Sequence, residues 1–429
     1  MQVLILMTEM LKLLKILSVT ILGIAVLVCL AGQFALYYSA QIDLEESVNN
    51  SQCTSVIDST YFSQIRRSRL ILKSMMEICE LPGLSVAISK NGKLIWSEAY
   101  GYSDLESKSP ACPGSIFRIG SVSKSLTAAA LLRLAELKKL NLHQDIRLIL
   151  PEYPDKDFAI TPFQLATHRA GVRPYLDDSE ALNTRHFNSA IASLDRFKND
   201  PLVFEPGSNF EYSNYGYVLL SAVMEKVCEK NFLSIMDDEV FTPLKMTSTI
   251  PELNDSTNNN ICTFYDNETP YSLDGQIHES PFIDHSSKWA SGGFLSTAED
   301  LVKFSDALDR NFLNRKSVDI MFQPHSSQLI LHYGMGWMIA RDPYFRKAYF
   351  HFGAGSGATS VVVKFPDYDT DIVILSNLGH AKFPYNHLMG VINEFLPQPV
   401  FWLLYFIDFL VIGFLIFKIR KKFFSPKAK

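Results

Sequence analysis

The chain has 429 residues, room for one large domain or two ordinary ones, and its 47% hydrophobic content supplies the apolar mass of a real core. A formal net charge of -5, with basic residues scattered except at the extreme C-terminus, excludes the electrostatic footprint of a nucleic-acid binder. Six cysteines at irregular spacing, with no C-x-x-C pair and no Cys/His cluster, imply no metal site.

The run from Ile16 to Tyr38 carries no charge, and about twenty apolar residues suffice to cross a bilayer. Lys12 and Lys15 precede it while Asp43, Glu45 and Glu46 follow, so the positive-inside bias predicts a signal anchor over 1–38 with a cytoplasmic N-terminus. The alternative is a secretory signal peptide cut near Ala31 or Ala35, although the run is longer than a usual h-region. Met1 to Lys15 has no arginine and contains Glu9, so it does not read as a transit peptide. Residues 39–80 follow as an acidic linker and the first helix of the main domain, which takes 81–397.

Within that domain, Leu84 to Asp104 alternates around Asn91-Gly92, which predicts a β-hairpin. Ser121 to Leu140 predicts a helix whose first half is apolar on nearly every face and therefore buried. From about 141 to 287, short helices and loops predict an all-helical subdomain inserted into a sheet domain. Ser356 to Gly379 predicts a second strand pair turning at Pro366 to Thr370, followed by a closing helix over Asn386 to Leu396. Strands from both ends of the domain are expected to share one sheet.

The Pro397-Gln398-Pro399 link leads to a second apolar run, Val400 to Phe417, flanked by Lys418, Arg420, Lys421 and Lys422. This predicts a transmembrane helix over 398–417 and a basic cytoplasmic tail over 418–429. The two flanks agree on one topology: an extracytoplasmic domain pinned to a membrane at each end, in the secretory-pathway lumen or at the cell exterior, with a mitochondrial membrane as the alternative. Asp408 in the second run reads either as a polar contact with the first helix, through Gln33 or Thr20, or as a tolerated carboxylate. Sequons at Asn49, Asn254 and Asn267 are compatible with a glycoprotein of this topology. With Cys29 in the first apolar run, the other five cysteines allow two disulfides at most, or else buried free thiols.

The chemistry centres on Ser121 and Lys124, which form the S-x-x-K of this chain at the first turn of the buried helix. Residues three apart share a helical face, so the lysine reaches the hydroxyl. A serine alcohol needs a base, and a lysine serves as one only when burial or nearby positive charge lowers its pKa. The helix N-terminus adds partial positive charge and a backbone N–H for a developing oxyanion. Alone, S-x-x-K is a weak signal; its place in an uncharged, Ala/Leu-rich stretch strengthens it, because an unpaired buried lysine is costly. Tyr212 and Asn214, in a turn entering an amphipathic helix, could pass protons and bind a carbonyl, or simply pack and cap that helix. His351 and Gly353 open a glycine-rich strand that admits close approach of backbone or ligand.

S-x-x-K, Y-x-N and H-x-G in this order, within FRIGSVSKSLTAAALL, LATHRAGV, FEPGSNFEYSNYGYVLLSAV and SGGFLSTAEDLVKFSDAL, resemble the serine β-lactamases and penicillin-binding proteins, in their class C branch. The runs SLDRFKNDPLVFEPGSNF and SSKWASGGFLSTAEDL look most like a eukaryotic offshoot of that family found in mitochondria. The resemblance spans roughly Leu81 to Leu396 and implies an α+β fold, a mainly antiparallel sheet flanked by helices with the inserted helical subdomain. It also implies roles: Ser121 is acylated, Lys124 deprotonates it, Tyr212 shuttles a proton to the leaving group, and Asn214 binds the substrate amide or orients Lys124. Residues after His351, with Gly353, align the substrate, and the N–H groups of Ser121 and Ala354 form the oxyanion hole. His168 falls in a stretch that is structural in the family.

The middle residue of the third motif, usually a hydroxyl that helps hold a substrate carboxylate, is Phe352 here. That departure argues against β-lactam-like carboxylate recognition and for apolar acyl or lipid-like substrates near the bilayer. The favoured function is a membrane-anchored serine hydrolase, of peptidase or esterase type, forming an acyl-serine on an ester, amide or peptide bond. It needs no cofactor; its partners are a small-molecule, lipid-like or peptide substrate and the membrane, with oligomerisation left open. The alternatives are a catalytically weak or silent binding or scaffold protein, and a true β-lactamase.

Overall fold

Asn91 and Gly92 both take positive φ, 52° and 74°, as a two-residue type I′ turn demands. They join β2 (Gly83–Lys90) to β3 (Lys93–Asp104), the predicted hairpin. The computed structural model describes Cys53 and residues 55–254, 258–267, 276–328 and 331–397. Both predicted membrane runs, with Asp408 and the Asn49 sequon, lie outside the described residues; within them no helix is long and apolar enough to cross a membrane.

The hairpin sits inside a ten-stranded antiparallel sheet. β1 (Val56–Ile57) pairs with β3 at one edge, and β4 (Ser326–Gln328), β5 (Leu331–Tyr333) and β6 (Met338–Arg341) form the other. The centre is built from β7 (Lys347–Gly355), β8 (Ala358–Phe365) and β9 (Thr370–Ser376); the order runs β1-β3-β2-β9-β8-β7-β6-β5-β4, and the tenth strand, Ser109–Pro110, pairs with β3 off this path. β9 pairs with β2, Ile374 opposite Val86, so strands 280 residues apart in sequence are neighbours, as the two separate strand pairs in the sequence predicted.

Alternation along β2 sends Leu84, Val86 and Ile88 to one face and Ala87 to the other. The first face is covered by α1 (Phe62–Cys79) and α5 (Tyr385–Phe395), which supply Ile65, Leu72, Met75, Val391 and Phe395. The second is covered by α2 (Ser123–Glu136), α3 (Asn214–Cys228) and α4 (Ala298–Ala307). The result is the expected α+β arrangement, an antiparallel sheet between helices. The stretch from about 141 to 287 is not all-helical as expected: Ile250–Pro251 pairs with Phe294–Ser296, and Tyr265–Asp266 with His278–Glu279, short pairings between segments distant in sequence that periodicity does not reveal. The helix predicted through Leu140 stops earlier: Glu136 is its last residue, and Lys138 at φ 58° turns the chain away.

A disulfide joins Cys53 to Cys112, while Cys79, Cys228 and Cys262 are free thiols. The bond ties the N-terminal end of the described chain to the loop just ahead of Ser121.

Candidate active site

Ser121 lies in a 3-10 turn, Gly120–Val122, that runs directly into α2. Three residues on, Lys124 is fully buried in a helix stretch with no other charge before Arg133. Its Nζ stands 3.0 Å from Ser121 Oγ, 2.7 Å from Asn214 Oδ1 and 2.7 Å from the Ser291 carbonyl oxygen. Burial, with Lys288 adding a like charge, holds the Lys124 pKa well below the usual lysine range. A neutral amine keeps two N–H donors, which Asn214 and Ser291 can accept, leaving its lone pair for the proton on Ser121 Oγ.

Asn214 owes its place to a cap. Ser213 accepts from the Gly216 N–H at 3.0 Å and starts α3, so Asn214 is the first residue of the helix. Tyr212, just ahead of that cap, lays its ring 4.7 Å from Lys124 Nζ. Burial pushes its phenol well above the usual tyrosine range, opposed by the neighbouring Ser121 hydroxyl. His168, at φ 58°, accepts the Ser213 N–H on Nδ1 at 3.1 Å, and its ring lies 4.3 Å from the Tyr212 ring, tilted by 40°. It is buried at a positive-φ turn, and it holds the Tyr212–Ser213 segment in place.

On the sheet side, β7 runs past the serine turn. A Cβ on Gly353 would stand 2.0 Å from the Ile119 carbonyl oxygen, so only glycine lets the strand approach this closely. The backbone nitrogen of Ala354 lies 3.1 Å from where a Cβ on Gly120 would stand, which brings its N–H beside the Ser121 turn. Gly353→Ala must push β7 and the Ser121 turn apart. Since an ångström of misplacement can cost roughly 100-fold in rate, turnover is expected to fall on the order of 100-fold. A kinetic comparison in protein of unchanged circular dichroism checks this, and wild-type turnover would refute the close-packing account.

His351 is not in the cleft. It is fully buried behind Tyr212, with Nδ1 donating to the Phe352 carbonyl at 2.8 Å and Nε2 beside the Tyr333 hydroxyl at 3.2 Å. Burial and the nearby Lys124 charge lower its pKa to about 3, so the ring is neutral. Phe352 points the other way along the strand, 45% exposed and against Phe350, and does not line the cleft either.

The cleft itself, ≈ 220 Å³, is lined by Ser121, Asn214, Ser291, Ala354 and Ser356 together with Lys288. A separate pocket of ≈ 180 Å³ is lined by Tyr212, Phe210, Leu331, Tyr333 and Met338. Lys288 and the Arg118–Glu252 pair beside it, with nitrogen–oxygen distances from 2.6 Å, were not singled out in the sequence. Lys288 lies in SSKWASGG, where an isolated lysine among small residues was the available signal.

A buried lysine held against a serine hydroxyl, with a carboxamide and a phenol beside it, is an arrangement that can activate the serine as a nucleophile. The chain belongs to the β-lactamase family: the family described as Beta-lactamase matches residues 69–388. Over 312 residues it is 31% identical to the human "Serine beta-lactamase-like protein LACTB, mitochondrial", covering 57% of this chain and 56% of that one. The chain therefore spans little more than half the length of this relative. The penicillin-binding protein structure from Bacillus halodurans is similar at a TM-score of 0.65 and 25% identity, over 76% of this chain and 99% of that one. The octameric penicillin-binding protein homologue from Pyrococcus abyssi shares the fold at a TM-score of 0.67 and 23% identity, over 76% of each chain.

Proposed function

We propose that this chain is a membrane-anchored hydrolase that forms an acyl-serine intermediate on an ester, amide or peptide bond. The observation that carries the reading is the buried Lys124 amine, 3.0 Å from Ser121 Oγ and depressed in pKa. Lys124 takes the Ser121 proton as Oγ attacks the carbonyl carbon. The N–H groups of Ser121 and Ala354 hold the oxyanion, and the leaving group departs with a proton passed through Tyr212. Water then cleaves the ester: Lys124 takes a proton from the water as its oxygen bonds the acyl carbon, the bond to Ser121 Oγ breaks, and that proton passes to Oγ.

The mainly apolar lining of the Tyr212 pocket supports an apolar or lipid-like group on the leaving side. The Cys53–Cys112 bond supports a domain facing an oxidising compartment. The mitochondrial designation of LACTB keeps a mitochondrial membrane as the alternative, and the octameric archaeal homologue keeps self-association open. Protection of the domain from protease in sealed microsomes fits the extracytoplasmic placement; digestion there would sink it.

A fluorophosphonate probe tests the chemistry. Wild-type chain is expected to label and Ser121→Ala to lose all labelling while keeping its circular dichroism. Unlabelled, folded wild-type protein would favour the silent binding or scaffold reading, and rapid nitrocefin turnover would favour a true β-lactamase.

A further inference from the structure

Lys288 sits in the turn that carries Ser291, whose carbonyl holds Lys124, and its side chain lines the Ser121 cleft. A half-buried ammonium ordinarily finds a carboxylate. Here its hydrogen-bond partner among the described residues is the Ala181 carbonyl at 2.6 Å. An ammonium has three donors, so two remain for a group entering the cleft.

The carboxylates around it are engaged elsewhere. Glu252 takes the Arg118 guanidinium on both oxygens, at 2.6 and 2.9 Å, and has His285 Nε2 at 3.2 Å. Asp266 accepts from Ser356 Oγ at 2.5 Å and the Gly357 N–H at 3.1 Å. Asp178 stands exposed at the rim. Burial, with Arg118 and Arg196 as like charges and Glu252 opposing them, lowers the Lys288 pKa to about 7. An incoming anion favours the charged form.

We infer that Lys288 is the specificity-determining cation of this cleft and binds a carboxylate carried by the acyl portion of the substrate. The inference rests on the acyl-serine reading above. Tyr212, the proton donor to the leaving group in that reading, lines the separate apolar pocket, so the leaving group belongs there and the acyl portion in the Lys288 cleft. The carboxylate recognition that Phe352 argued against is thus supplied by Lys288, which lines the cleft as Phe352 does not.

The p-nitrophenyl monoesters of glutaric and valeric acid present the same ester and chromophore, with and without a terminal carboxylate. The full-length chain is expected to prefer the glutaryl ester by about tenfold or more in kcat/KM, the range of one charged hydrogen bond. Lys288→Met removes a like charge beside Lys124 and so moves the rate on both esters, but should lower the glutaryl value about 10- to 100-fold more than the valeryl value, with Lys288→Arg retaining the preference. Ser121-dependent hydrolysis without a glutaryl preference, or an equal loss on both esters in Lys288→Met, overturns the role of Lys288 alone. Turnover that survives Ser121→Ala overturns the acyl-serine reading and this inference with it.

Discussion

Lys124→Met is expected to lower turnover by about 10³-fold or more, and Lys124→Arg to fail equally, because a guanidinium does not deprotonate in a protein. The argument lies in the geometry: Asn214 Oδ1 and the Ser291 carbonyl, each 2.7 Å from Nζ, can hold the neutral amine so that its lone pair faces Ser121 Oγ. The sign of the pH dependence follows. Burial, assisted by Lys288, depresses the Lys124 pKa, and the base works only when neutral. Activity is therefore lost as pH falls through the depressed folded value, which lies well below the pH at which an exposed lysine deprotonates. A pH profile of kcat/KM checks this. An acid limb near the ordinary lysine value, or Lys124→Arg with wild-type turnover, would remove Lys124 from the role of base.

The serine and its lysine were legible in the sequence because their relation is local. Three residues on one helix fix their contact, and the lack of other charges between Lys124 and Arg133 announces burial. The hairpin at Asn91-Gly92 was legible for the same reason, since two positive-φ residues specify the turn. Side-chain contacts between distant segments were not legible from the residues themselves, and the Asn214–Lys124 contact was offered only by the family resemblance. Asn214 meets Lys124 across 90 positions and Arg118 meets Glu252 across 134, and no periodicity encodes either pairing. Cysteine count bounded the disulfides but left Cys53 and Cys112 unpaired on paper; the fold brings their Cα atoms to 5.3 Å. His351 was legible by motif alone. Strand alternation and the Tyr333 hydroxyl decide that its ring stays behind Tyr212, and Tyr333 belongs to another strand.

The largest stability effect is expected at Glu98 on β3, remote in sequence from every catalytic motif. Its carboxylate accepts from Arg69 at 2.6 and 2.9 Å, from Trp96 Nε1 at 2.8 Å and from the Tyr100 hydroxyl at 2.6 Å. Burial alone would raise its pKa, but the hydrogen bonds from Arg69, Tyr100 and Trp96 outweigh that and hold it below the usual glutamate value. Glu98→Ala strands a guanidinium and two further donors around one buried site, a loss of about 3–5 kcal/mol by the measure of broken buried ion pairs. Arg69 lies on α1, so the same change loosens that helix from the sheet. Adding Arg69→Ala removes the stranded charge, and the double variant is expected to be no less stable than Glu98→Ala alone. Because the folded pKa is depressed, this contribution is fully present above the unfolded value and is lost as pH falls through the folded one, so wild type should approach Glu98→Ala in acid. Denaturant midpoints of the two single variants and the double variant, read at neutral and acid pH, test the whole chain of reasoning. A Glu98→Ala loss below about 1 kcal/mol would mean that water replaces the carboxylate and that the cluster does not anchor α1.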